Sequence, residues 1–217
     1  NNDRQKRKNE ALSSANTGGF FEGYTLTHFP SPDIIKKESK PDENGINIEE
    51  TTKMAENLQI RLADPGEADR LAEIEAICFP PAEAASHEEV VKRMGAFPEN
   101  FVVAVKDEQI VGFINGGTTD KPVLPDEFYH DITLHRRDGE IQTVFGLNVI
   151  PEYRHQGIAG ELVEYFKELA KERGKKALIL TCKEHMIPFY ESHGLKKLGV
   201  ADSCHGGATW YDMQIWF

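Results

Sequence analysis

Hydrophobic and polar positions settle into a regular pattern from Leu58 onward. The segment "LQIRLA" alternates between the two, the pattern of a strand with one covered face. In "DPGEADRLAEIEAICF" the period lengthens to that of a helix, with Leu71, Ile74 and Ile77 recurring on one face. Asp64 stands at the N-cap, Pro65 at the first helical position and Glu67 at the third, so the start of this helix is marked. "SHEEVVKRM" repeats the capping-box spacing with Ser86 and Glu89 and predicts a second short helix. "NFVVAVKDEQIVGFINGG" reads as two strands about a tight turn at Asp107 and Glu108.

A loop through "TTDKPVLPDEFYHD" leads to one long strand, "EIQTVFGLNVI". The helix that follows places Leu162, Phe166, Leu169 and Ala170 on one stripe, and "KERGKK" stops it. "ALILTC" is a buried strand, "MIPFYESHG" a short helix ended by Gly194, and "LKKLGV" and "ATWYDMQIWF" are the last strands. The order β-αα-βββ-α-β-α-ββ predicts an α/β (α+β) domain over residues 58–217, a mixed sheet covered by helices. Residues 1–57 are read as an N-terminal extension, of low complexity or partly ordered, with the charge run "NNDRQKRKNE" and the Pro-, Lys- and Glu-rich "SPDIIKKESKPDENG". Phe20, Phe21, Tyr24 and Phe29 between them are apolar enough to dock on a partner or on the domain.

Composition narrows the function classes. The 217 residues carry a formal charge of −11, which excludes general nucleic-acid binding and suits a cationic ligand better. No apolar run reaches the length of a membrane span. Cys78, Cys182 and Cys204 are too few for a disulfide framework, so a cytoplasmic setting is the expectation.

The most informative stretch is "VIPEYRHQGIAGELVEYF", where an apolar strand ends in an Arg154-x-x-Gly157-x-Ala159-Gly160 turn that opens a helix. Such a turn presents unpaired backbone N–H groups and the positive end of the helix dipole, a site for phosphate or pyrophosphate. Gly157 and Gly160 allow close backbone approach, Ala159 adds little bulk and Arg154 supplies charge; a helix start with small residues for packing is the other reading of the same turn. Neither the G-x-G-x-x-G spacing nor a Gly-Lys-Ser/Thr loop is present.

This turn resembles the Q/R-x-x-G-x-G/A signature of the GNAT N-acetyltransferase superfamily. "TCKEHMIPFYESHGL" resembles that superfamily's Phe-Tyr segment, and "ALILTCKEHMIPFYE" with "ITLHRRDGE" resembles its arylalkylamine subgroup. The resemblance covers residues 58–217. It implies a mostly antiparallel, seven-stranded sheet with a splayed central strand pair, and acetyl-CoA as co-substrate with no metal. It implies that backbone N–H groups of Gln156, Gly157, Ile158, Ala159 and Gly160, with Arg154, hold the CoA pyrophosphate. Leu147 and Val149 would pair through their backbone with the pantetheine arm.

Amine acetylation needs a neutral amine, an aimed thioester, a donor for the oxyanion and a proton for the leaving thiolate. The resemblance assigns Tyr190 as the acid and a backbone N–H near Val149 as the oxyanion donor. The base is the departure: Thr143 and Phe145 stand where the arylalkylamine enzymes carry histidines. Glu140, His185 and His205 are the nearby candidates, with His205 preferred. Phe79, Pro80, Phe145, Trp210 and Tyr211 are expected to wall an acceptor pocket whose aromatic faces would favour an ammonium. His130 and His135 read as solvated loop residues, and Cys182, His185, Cys204 and His205 lack the spacing of a zinc knuckle.

The leading expectation is a monomeric or homodimeric enzyme that transfers acetyl directly to the primary amine of a small arylalkyl or polyamine acceptor. Protein or peptide acetylation is one alternative. A non-catalytic acyl-CoA-binding module is the other, supported by the missing strand base and opposed by Tyr190.

Overall fold

The computed structural model describes residues 57–217. The N-terminal extension, with Phe20, Phe21, Tyr24 and Phe29, lies outside the described residues.

The chain runs β1 (Leu58–Leu62), α1 (Ala68–Cys78), α2 (His87–Ala96), β2 (Phe101–Lys106), β3 (Gln109–Asn115), β4 (Thr118–Thr119), β5 (Ile141–Val144) and β6 (Gly146–Val149). It continues through α3 (Ile158–Glu172), β7 (Ala177–Cys182), α4 (Ile187–Ser192), β8 (Lys196–Val200) and β9 (Tyr211–Trp216). Local chemistry sets these boundaries. Asp107 and Glu108 both adopt positive φ (50° and 61°), the two-residue turn that matches strand twist and joins β2 to β3. Ser86 and Glu89 close a reciprocal capping box at the start of α2. Gly174 and Gly194, at φ 69° and 85°, follow the ends of α3 and α4.

The strands form a four-stranded sheet, β1-β2-β3-β6, and a five-stranded sheet, β4-β5-β7-β9-β8, antiparallel throughout except for the β5–β7 pair. The sequence reading has seven strands in one sheet. The difference arises because two long strands break opposite each other, β3 from β4 at Gly116–Gly117 and β5 from β6 at Phe145. At Gly116 a Cβ would fall 1.7 Å from the Thr143 carbonyl oxygen, so only glycine fits. The Gly117 N–H donates to Thr143 Oγ1 (2.9 Å), the Thr143 hydroxyl donates to the Gly117 carbonyl (3.0 Å), and the Phe145 N–H donates to the Asn115 carbonyl (2.8 Å). The break is a hydrogen-bonded bulge. Before it, β5 pairs with β7; after it, β6 pairs with β3 alone. β6 and β7 therefore splay apart, as the resemblance implies.

Every side chain of β2 from Phe101 to Ala104 is buried, so helices cover both faces of the first sheet. The core is built on α3 by Ile158, Leu162, Phe166 and Leu169 and on α1 by Leu71 and Ile74. Ile77, expected on the buried face of α1, is 52% exposed. The buried positions are instead Leu71, Ile74 and Glu75, which puts a carboxylate where the core would take a hydrophobe.

Candidate functional site

The splay of β6 from β7 opens into a cavity of about 650 Å³, the site toward which the fold's irregularities converge. One wall is β6 and the start of α3. The Ile150 N–H donates to the Val111 carbonyl, so the backbone groups of Gly146, Asn148 and Ile150 face β3. By strand alternation the N–H and C=O groups of Leu147 and Val149 face the open edge. Arg154 turns back onto this strand, its Nε donating to the Val149 carbonyl at 2.8 Å. Gly157, at φ 83°, is the N-cap of α3, and no atom lies within 4 Å of the place its Cβ would take. The N–H groups of Ile158, Ala159 and Gly160 have no carbonyl one turn back to bond. Gly160 is small for packing: a Cβ there would meet the His193 ring at 3.1 Å. Gln156 is exposed, its side chain tied to Glu152 and Lys106.

Tyr190, on α4, is buried and reaches the cavity. Burial pushes its phenol pKa up, so the hydroxyl keeps its proton across the neutral range.

The opposite wall comes from α1, α2, the loop between them, the β4–β5 and β8–β9 connections, and Phe145 at the strand break. Phe79, Pro80, Phe145 and Trp210 line it as expected, whereas Tyr211 does not. Tyr211 lies on β9 paired with Cys182, and its ring carries the Lys197 ammonium at 4.1 Å. Three of the aromatic rings expected to receive a substrate ammonium, Phe145, Trp210 and Tyr211, already carry a cation of the protein. The Arg93 guanidinium sits 4.9 Å over Phe145 and Lys183 Nζ 5.6 Å over Trp210.

His205 stands in this wall, stacked on Tyr129 at 5.6 Å. Its Nε2 bonds the Glu83 carbonyl oxygen (3.1 Å), which only accepts, so Nε2 carries the proton and Nδ1 is the free acceptor. His185 also borders the cavity but is exposed. Glu140 does not border it and pairs with Lys176 at 2.7 Å on the surface. Thr143 is buried and spent on the strand break, so the position where relatives carry a histidine holds structure here. His135 is not solvated as expected: it packs 4.5 Å from the Phe97 ring and accepts the Thr118 N–H at 3.1 Å. His130 is exposed, pairs with Glu89 and borders the cavity. Among the described residues no group of three His, Cys, Asp or Glu side chains forms a metal-binding arrangement.

Two charged residues here went unnoticed in the sequence. Glu75 is 6% exposed; its carboxylate accepts the Ala85 N–H (3.1 Å) and the Asn148 side-chain amide (2.9 Å). Desolvation raises its pKa, a shift only partly offset by those bonds and by Arg93. Arg93, 5% exposed, donates to the Tyr129 carbonyl. Each sits on the buried stripe of its helix: Leu71, Ile74 and Glu75 on α1; Val90, Arg93 and Met94 on α2. A charge at an apolar stripe position was the available signal.

A strand opened by a bulge beside a left-handed glycine at a helix start is one architecture, and comparison with known proteins agrees. The model for the acetyltransferase (GNAT) family matches residues 68–195, and the chain belongs to that family. Serotonin N-acetyltransferase of Mesocricetus auratus is 29% identical over 118 residues, 54% of this chain and 56% of that protein. The chain spans about half the length of the serotonin N-acetyltransferases it matches. Among solved structures, the GphF GNAT-like decarboxylase in complex with isobutyryl-CoA superposes with a TM-score of 0.64 at 21% identity, over 73% of this chain and 98% of that one. The PaiA N-acetyltransferase from Thermoplasma acidophilum in complex with coenzyme A gives 0.55 at 16% identity, over 74% and 99%.

Proposed function

We propose that this protein transfers an acetyl group from acetyl-CoA to the primary amine of a small acceptor, by direct attack. The observation that carries the reading is the meeting, in one cavity, of the open Leu147–Val149 edge, the Gly157 turn, Tyr190 and Glu75. Relatives with this fold whose structures hold CoA or an acyl-CoA support the choice of co-substrate.

In this reading the N–H groups of residues 156–160 receive the pyrophosphate, and the backbone of Leu147 and Val149 pairs with the pantetheine amides. The fit is specific to this chain: the left-handed Gly157 leaves its surroundings open, and the N–H groups that follow are unused within the helix. The Val149 N–H faces the oxygen on which charge develops. Tyr190 gives its proton to the departing thiolate, for which a buried, protonated phenol is suited.

Glu75 takes the proton of the acceptor ammonium. It lies beside β6 through Asn148, and a carboxylate whose pKa is raised by burial is a better base than a solvated one. His205, with Nδ1 free, is the second candidate. The two separate by variant: Glu75→Gln should abolish the acid limb of the pH–rate profile, and His205→Gln should leave it.

The direct test follows free thiol on mixing the protein with acetyl-CoA and a panel of amines: phenethylamine, tryptamine, spermidine and free amino acids. Thiol release that requires a small amine is expected. CoA binding with no release would make the protein a binding module, and release only with peptides would make it a peptide acetyltransferase.

A further inference from the structure

Arg93 is a buried cation whose donors are mostly unspent. A guanidinium offers five N–H donors in a planar fork. Here one terminal nitrogen donates to the Tyr129 carbonyl, and no carboxylate of the described residues lies within ion-pair distance. The two carboxylates whose fields it feels are committed elsewhere: Glu75 to Ala85 and Asn148, and Glu89 to Ser86 and His130. The Arg93 guanidinium carbon sits 4.9 Å from the centroid of the Phe145 ring, and the residue borders the cavity. A desolvated guanidinium resting over an aromatic ring, with unused donors at the edge of a cavity, is built to receive a planar anion through two parallel bonds.

We infer that the acceptor is a zwitterion of the amino-acid type, whose carboxylate pairs with Arg93 while its ammonium is presented to Glu75. The inference rests on the small-amine reading above and narrows it. The cavity separates the charges it needs, a carboxylate at α1 and a guanidinium at α2, and neither neutralises the other by direct contact. A polyamine offers Arg93 no anion, and an arylalkyl amine leaves the fork unfilled.

The test compares acceptors that differ only in the carboxylate, phenylalanine against phenethylamine and tryptophan against tryptamine, by kcat/KM with acetyl-CoA. The wild-type protein should favour the amino acid by about 10- to 100-fold, the scale of a charge-assisted pair in a desolvated site. In Arg93→Met that ratio should fall toward one, with Arg93→Lys between. Melting temperature and CoA affinity identify a variant that has merely lost its fold, and the wild-type ratio stands without any variant. A wild-type preference for the decarboxylated amine, or a ratio unmoved by Arg93→Met, overturns the inference. So does an Arg93-dependent preference for succinyl-CoA over acetyl-CoA, which would mean that the fork reads the donor. If no amine turns over, the acetyl-transfer reading fails separately. Calorimetric titration of the same pairs into the CoA-loaded protein then decides: Arg93-dependent binding of the amino acid supports the inference, and its absence ends it.

Discussion

The two walls of the cavity are made of different material. The wall of β6 and the start of α3 presents backbone: the edge groups of Leu147 and Val149 and the unused N–H groups after Gly157. The facing wall presents side chains from segments far apart in the chain, Glu75, Arg93, Tyr129 and His205. Backbone recognition needs a strand with one free edge and a residue that tolerates positive φ, and many side chains satisfy the rest. Side-chain recognition depends on each residue and on the packing that aims it. A wall of the first kind suits a ligand every family member shares, and one of the second kind suits the ligand that varies.

The contrast is sharpest where a side chain does chemistry. Glu75→Gln should have the largest effect, lowering turnover roughly 10²- to 10⁴-fold, the range for removing a general base. CoA affinity, measured by calorimetry, should stay the same, because the glutamine side-chain oxygen can still accept from Asn148 and the backbone edge of β6 keeps its groups. Glu75 must be ionised to act, and its pKa is raised above the ordinary carboxylate value. The wild-type rate should therefore fall as pH drops through that raised pKa, with the acid limb above the usual carboxylate range. A variant that keeps wild-type turnover would return the base to His205. Tyr190→Phe should follow, at roughly 10²-fold in kcat with little change in KM for the amine. Since burial raises the phenol pKa, an alkaline limb due to Tyr190 should lie above the ordinary phenol value of about 10.

The same contrast governs what the sequence made legible. The Gly157 turn and the order of elements were readable because glycine at a helix start and regular hydrophobic periods mark backbone geometry directly, whereas the splay beside β6 came only through the family resemblance. The strand break was not readable, although Gly116–Gly117 carries its mark, because what fixes it is Thr143 bonding across the strands. The acceptor wall was read from its aromatics, and Tyr211 was misplaced because a strand residue's face depends on register. Glu75 and Arg93 were missed because helical periodicity was counted with apolar residues alone. Counted by position, each charge falls three or four residues from a buried hydrophobe, Leu71 before Glu75 and Val90 before Arg93.

Breaking the donor wall takes a backbone change. Gly157→Val forces a β-branched residue to φ 83°, a left-handed conformation that costs roughly 1–2 kcal/mol. The Cβ finds open space, so the domain should fold with its unfolding free energy, from urea melts, lowered by about that amount. CoA affinity should weaken by about tenfold or more, since the new side chain occupies the space a phosphate would use. Selectivity among amines should not move. Unchanged CoA affinity in a folded Gly157→Val would remove the turn from the donor wall.

The smallest effect concerns the scaffold of the acceptor wall rather than its chemistry. Glu89 caps α2, the helix that carries Arg93, and also bonds His130 of the loop leading toward β5. Burial alone would raise its pKa, but the bonds from His130, the Ser86 N–H and the Ser86 hydroxyl outweigh it and hold the value at about 2. A carboxylate depressed in the folded state stabilises above its unfolded pKa, and that stabilisation is lost as pH falls through the folded value. Glu89→Gln should thus cost about 1 kcal/mol near neutral pH, the scale of a helix cap at a solvent-facing site. Urea melts of the two proteins should converge as pH is lowered from about 5 toward the folded pKa of about 2. Because α2 carries Arg93 but no group assigned to the donor, loosening its first turn should change amine KM before it changes CoA affinity. A variant whose stability deficit stays constant over that pH interval would show that Glu89 acts through packing, and that the charge of the cap contributes nothing to holding the acceptor wall in place.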